Sequence, residues 1–226
     1  MNVKLVKPSK RYQKEITEML DEWSLYNKEH PEANGSPKAL FLTDYHNFPL
    51  YLKEARDAIY SPRPDLVPAT LLFAYDKDRH IMVGACQIRH YLNEKLKQGG
   101  GHIGDGVRPS ERRKGYGKEI LRLALEECKY LKIKKALVSA NTSNIPSIKA
   151  IKANGGVYDK TVMDDDGPLE LYWFYLDGHD KYTQKDLAWD IEILRKKRFM
   201  NLISEEKFEE EKHELAQKYL ADKDSD

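Results

Sequence analysis

Val107-Arg108-Pro109-Ser110-Glu111-Arg112-Arg113-Lys114-Gly115-Tyr116-Gly117-Lys118 is the stretch that decides the fold. It joins a strand expected over 102–107 to a helix expected over 114–131. Arg108-Pro109-Ser110 turns the chain, and Ile120, Leu121, Ala124, Leu125 and Cys128 recur on one helical face. Arg112-x-x-Gly115-x-Gly117 therefore lies where a helix begins. Backbone N–H groups at a helix start converge on one spot, and the helix dipole favours an anion there. Glycine lets the backbone approach phosphate oxygens with no Cβ in the way. Arg112, Arg113, Lys114 and Lys118 add positive charge at the same place. These features suit a phosphate, and a basic turn on a solvated helix end would use the same residues.

Two other glycine patterns fail on context. Gly99-x-Gly101-x-x-Gly104 matches the dinucleotide fingerprint as text, but a strand follows where a helix should open. Gly117-Lys118-Glu119 lacks the P-loop's first glycine, because Arg112 holds that place, and lacks Ser or Thr after the lysine. A second element supports the first. Ala136-Leu137-Val138-Ser139-Ala140 reads as a strand and leads to Asn144-x-x-Ser147 at the start of another helix. Pro146 lies in its first turn and Asn154-Gly155-Gly156 ends it. Asn144 suits a helix cap, and its amide also suits an amide-bearing ligand.

Outward from this centre the pattern is mixed. Val3-Lys4-Leu5-Val6 reads as a strand. Ser9 is placed to cap a helix whose inner stripe is Ile16, Leu20 and Trp23. Residues 30–44 read as loop and 49–59 as a helix stopped by Ser61-Pro62-Arg63-Pro64. Residues 70–75 and 81–88 form an antiparallel hairpin across a polar turn, with a short helix or loop at 91–98. Residues 157–163 and 169–176 form another hairpin, turning at 164–167. From 178 on, helix formers and charges dominate. Leu187, Ile191 and Leu194 form one stripe. Ser204 opens a further helix, with Ile203 and Phe208 at the spacing of a hydrophobic staple. Fraying is expected from 222.

Composition narrows the classes. The 226 residues are 40% hydrophobic and 33% charged, with a formal net charge of +1. That is core enough for one domain plus an extension: 1–177 and 178–226. The near-zero net charge gives no general field for nucleic acid or membrane. No apolar h-region follows Met1, and no run approaches a membrane span, so a cytoplasmic protein is expected. Cys86 and Cys128 are far apart and form no metal-binding pair, so reduced core thiols and no metal are expected.

Strand, R-x-x-G-x-G, helix, strand, N-x-x-S, helix, N-G-G in that order resembles the GNAT superfamily of acetyl-CoA-dependent N-acetyltransferases. Gly84 with Ile88-Arg89-His90-Tyr91-Leu92-Asn93, Gly100-Gly101-His102-Ile103-Gly104 and the opening stretch is similar to a bacterial group of acetyltransferases within it. The resemblance covers about residues 1–176. It implies an α+β fold, with a mixed, splayed sheet of about seven strands flanked by helices, and here a C-terminal helical hairpin. It implies that the strands at 102–107 and 136–140 part, with Gly104 and Gly106 supplying a bulge. The cosubstrate would be acetyl-CoA, bound by Val107, Arg112, Arg113, Lys114, Gly115, Tyr116, Gly117, Lys118, Asn144 and Ser147. The acceptor would be a primary amine of a small molecule or peptide, attacking the thioester directly.

The sequence departs from the resemblance in its chemistry. Many GNAT enzymes carry an acid tyrosine seven positions after the Asn144 equivalent, and here Ile151 stands there. Asp105 stands where the narrower group carries tyrosine. It is a candidate base or cation-binding group, or an ordinary edge carboxylate. His102 and His90 are candidates for catalysis or for structure, and Tyr158 is a candidate acid. The tail, around Leu202-Ile203-Ser204-Glu205-Glu206-Lys207-Phe208-Glu209, resembles a short helical module of many bacterial proteins, the SHOCT-like module. Oligomerisation or partner docking through it is one expectation and simple packing on the domain another. The alternative function is a catalytically degenerate acyl-CoA-binding protein working through that tail.

Overall fold

A computed structural model describes residues 1–31, 37–60, 63, 66–164, 167–176, 184–199 and 203–223. The chain divides into two compact units, Met1–Leu176 and Asp177–Asp226. The first runs β1 (Val3–Val6), α1 (Gln13–Glu29), α2 (Phe48–Tyr60), β2 (Ala69–Asp76), β3 (Ile81–Arg89), α3 (Glu94–Gln98) and β4 (Ile103–Val107). It continues through α4 (Tyr116–Tyr130), β5 (Lys135–Asn141), α5 (Ile145–Ala153), β6 (Val157–Asp164) and β7 (Gly167–Tyr175). The second unit holds α6 (Gln184–Phe199) and α7 (Glu205–Lys223).

Among the described residues seven strands form two antiparallel sheets, ordered β1-β2-β3-β4 and β5-β7-β6. Both faces of the first sheet are covered, so β2 is a continuous apolar run rather than an alternating one. On one face, α1 and α2 contribute Ile16, Met19, Leu20, Trp23, Phe48 and Tyr51, which pack with Leu71, Phe73, Met82 and Ala85. On the other, Ile120, Leu121, Ala124, Leu125 and Cys128 of α4 meet Val83, Cys86, Ile88 and Ile103. Both cysteines are buried free thiols.

Among the described residues the edges of the two sheets are joined by a pair of hydrogen bonds. The His102 N–H donates to Leu137 O at 2.7 Å, and the Leu137 N–H donates to His102 Nδ1 at 2.9 Å. Gly101 makes the approach possible: its φ is +59°, and a Cβ there would stand 2.4 Å from Leu137 O. Beyond this link β4 and β5 share no ladder. The expected bulge at Gly104 and Gly106 is not what opens the sheet. The β3–β4 register runs unbroken from Ile88↔Ile103 to Gly84↔Val107. The separation starts instead from the glycine turn and the His102 side chain.

Several boundaries shift. The helix expected from 114 begins at Tyr116, because Arg113 and Gly115 are left-handed, with φ of +62° and +89°. Ser9 does not cap α1. It precedes a 3-10 turn at Lys10–Tyr12 and makes no capping bond. Part of the loop expected over 30–44 is a 3-10 turn, Lys38–Phe41. Most of the 61–64 stop and the tip of the 164–167 turn lie outside the described residues. Residues 222 and 223, expected to fray, continue α7.

In the second unit Ser204 does cap. Its Oγ accepts the Lys207 N–H at 3.1 Å, and Phe208 is buried one turn on. Ser204→Ala is expected to cost about 1 kcal/mol of α7 stability. Amide exchange over 205–209 should then quicken about fivefold, as read by hydrogen exchange.

Candidate functional site

The link from β4 to α4 is a 3-10 turn (Pro109–Glu111) followed by four residues that alternate in handedness. Left-handed Arg113 and Gly115 flank Lys114, an alternation of the kind that can turn successive backbone N–H groups towards a common acceptor. Arg113 is a non-glycine residue at positive φ, a strain the surrounding bonds must offset. No side chain caps α4 at Gly115, so the orphan N–H groups of its first turn remain for another acceptor. A Cβ on Gly117 would meet Val107 Cγ2 at 3.5 Å, an ordinary contact.

The basic residues of this link do different work. The Arg112 guanidinium lies over the Tyr26 ring at 4.3 Å, with Nε 3.4 Å from Val107 O. Lys114 Nζ donates to Glu111 Oε2 at 3.0 Å. Arg113 and Lys118 are exposed. The Tyr116 side chain turns inward, where its hydroxyl donates to Asp76 Oδ2 at 2.7 Å. It therefore offers a ligand only its backbone.

Across the split, Asn144 Oδ1 accepts the Ser147 N–H at 3.2 Å and caps α5. The cap occupies the carbonyl oxygen; the amide donors are not part of it. At the other end of α5, Asn154 Nδ2 donates to Lys118 O at 3.1 Å, fixing α5 to the first turn of α4. The 145–153 helix, about 14 Å long, separates Asn144 from that anchored end. Ile151 is 1% exposed and belongs to the core.

The candidates for chemistry do not come together. Asp105 lies on β4 opposite Cys86, on the face that packs against α4. It is half-buried, and desolvation pushes its carboxyl up to about 6 against the pull of its own backbone N–H. His102 is buried, and its Nδ1 accepts a backbone N–H, which places the ring proton on Nε2. Desolvation and the nearby Arg89 hold it down to about 4. The ring stitches the sheets. His90 lies 2.8 Å from Thr70 Oγ1 and is held to about 4 by desolvation and Lys7. Tyr158 is on β6, two strands from the split, 52% exposed, with its hydroxyl 3.0 Å from Thr161 Oγ1.

Sequence reading missed the supports of the link. Glu22 of α1 accepts from Arg108 Nε at 2.5 Å and from the Ser110 N–H at 2.8 Å. Arg79 donates to both oxygens of Glu111, at 2.5 and 3.0 Å.

Among the described residues the first unit is a seven-stranded α+β domain whose two sheets part beside the uncapped start of α4. The family model described as an acetyltransferase (GNAT) domain matches residues 40–157, and the chain belongs to that family. Solved structures with the same fold include the ribosomal-protein-S5-alanine acetyltransferase from Vibrio fischeri. It is 14% identical, with a TM-score of 0.56 over 78% of this chain and 94% of that one. The yncA protein of Salmonella typhimurium, solved with its cofactor acetyl-CoA, is 14% identical, with a TM-score of 0.52 over 81% and 99%. The spermidine N-acetyltransferase from Vibrio cholerae, in complex with CoA and spermine, is 10% identical, with a TM-score of 0.52 over 76% and 95%. No curated protein sequence matches the chain. Among the described residues no helix is long and apolar enough to cross a membrane.

Proposed function

We propose that residues 1–177 transfer an acetyl group from acetyl-CoA to a primary amine of a small molecule or peptide, with 178–226 as a helical extension. The observation that carries this reading is the uncapped start of α4 behind left-handed Arg113 and Gly115, beside the opening between β4 and β5. N–H groups of the link and of the first turn of α4 would hold the pyrophosphate, with the exposed side chains of Arg113 and Lys118 as counter-charges. The span from that turn to Asn144 suits an extended ligand, and the free amide donors of Asn144 suit the pantetheine amides. The cosubstrate brings an activated thioester. The backbone near Val107 would polarise its carbonyl. Asp105 would take the proton from the attacking amine, since a carboxyl at about 6 is ionised and still basic at neutral pH. His102 is better suited to holding the sheets than to accepting that proton, because Nδ1 is already bonded.

A second reading rests on Ile151. Where many relatives carry an acid tyrosine, this chain carries a core aliphatic, as a CoA-binding protein without turnover would tolerate. A thiol-release assay with acetyl-CoA and a panel of polyamines, amino acids, aminoglycosides and peptides separates the two. Release above the amine-free rate with any acceptor supports transfer. Binding of acetyl-CoA with no release across the panel supports the second reading.

A further inference from the structure

The hairpin turn between β2 and β3 bears on α4 through a buried polar network. Asp76 is 4% exposed and Glu111 5%, both too buried to be left without partners. Asp76 Oδ1 accepts the N–H groups of Asp78 and Arg79 at 3.0 and 3.1 Å, which sets the turn. Its other oxygen accepts the Tyr116 hydroxyl, which belongs to the first residue of α4. Arg79 donates through Nη1 to that same hydroxyl at 3.1 Å and forks onto Glu111 with Nη1 and Nη2. Glu111 closes the circuit by accepting from Lys114. Hydrogen bonds from Arg79 and then Lys114 hold the Glu111 carboxyl below its ordinary range, against desolvation.

This network clamps the link on both sides of its left-handed residues. Glu111 precedes Arg113, Lys114 lies between Arg113 and Gly115, and Tyr116 follows Gly115. Arg113 is a non-glycine residue at positive φ and needs such bonds around it. Resting on the phosphate role proposed for this link, we propose that Arg79 is a positioning residue for the donor's pyrophosphate. It acts without touching the ligand, by holding Glu111 and Tyr116 so that the N–H nest exists before the ligand arrives. A guanidinium is needed because only a planar fork spans two carboxylate oxygens while also reaching the hydroxyl.

The test compares wild type, Arg79→Ala, Arg79→Lys and Gly117→Asp in the full chain. Binding of acetyl-CoA is measured by calorimetry, and binding of S-acetylpantetheine, which has no pyrophosphate, by NMR titration. Arg79→Ala should weaken acetyl-CoA about tenfold, the worth of one charge-assisted bond, and leave S-acetylpantetheine within twofold. Arg79→Lys should recover only part of the loss. If Arg79→Ala binds acetyl-CoA as wild type does while Gly117→Asp binds it poorly, the positioning role is overturned and the phosphate site stands. Equal losses for both ligands would mean a general structural defect and would also overturn it. If Gly117→Asp binds acetyl-CoA normally, the phosphate site itself lies elsewhere.

Discussion

Gly117→Asp is expected to weaken acetyl-CoA binding about 100-fold while leaving the melting temperature unchanged or slightly raised. The two halves of that result have separate causes. Gly117 is the second residue of α4, and a Cβ there meets only Val107 Cγ2, at 3.5 Å. The side chain therefore fits. A carboxylate in the first turn of a helix with no side-chain cap also interacts favourably with the helix dipole and its orphan N–H groups. For the fold, aspartate is neutral or helpful. For a pyrophosphate bound to the same N–H groups it is a competitor and a like charge. Two unit charges about 4 Å apart repel by about 4 kcal/mol near a protein surface, before salt screening. Even after screening removes a third of that, about 100-fold in affinity is lost. Calorimetric titration with acetyl-CoA reads one half, and thermal unfolding of the apo protein reads the other. A loss of both would mean unfolding. A loss of neither would mean that the phosphates bind away from α4.

The contrast between what the sequence carried and what it hid follows from the range of the interactions. The turn from β4 into α4 was legible because its determinants lie within a few residues of one another: Arg108-Pro109-Ser110, two glycines and a helix start. The strand and helix order was legible for the same reason, through periodicity in short windows. The Asp76–Tyr116 and Arg79–Glu111 bonds join residues 40 and 32 positions apart, and no local pattern marks them. Asp76-Lys77-Asp78 reads only as a polar turn. His102 shows the other failure. A histidine on a strand has the same sequence signature whether its ring is a base or a stitch. What decides is a backbone N–H 35 positions on. The bulge expected at Gly104 and Gly106 was a local explanation for an opening that arises non-locally, from Gly101 pressed against Leu137. Gly84 has a comparable hidden reason: a Cβ there would stand 2.4 Å from Gly106 O and 2.6 Å from Ile120 Cδ1.

Asp105→Asn is expected to lower kcat about 1000-fold with acetyl-CoA affinity kept within twofold, as loss of a general base would do. The carboxyl lies on the strand that borders the split, half-buried, on the face that packs against α4. Desolvation is the largest influence on it and raises it from the ordinary 3.8 to about 6. Activity that depends on its ionised form should rise with pH through about 6 and level off above. Stability runs the other way. The folded value is above the unfolded one, so the contribution of this carboxyl is fully present below about 3.8 and is lost as pH rises through about 6. At about pH 8 the wild type holds an ionised, desolvated carboxylate that asparagine, of nearly the same shape, does not carry. Asp105→Asn should therefore melt above wild type at that pH, and the gap should close as the pH falls towards 4. A variant that is more stable and nearly inactive separates a chemical role from a folding role, because a purely structural carboxylate would lose stability when removed. Retention of kcat within threefold would place the base elsewhere. Any rise in the pH profile near 6 would then persist in the variant and belong to another group.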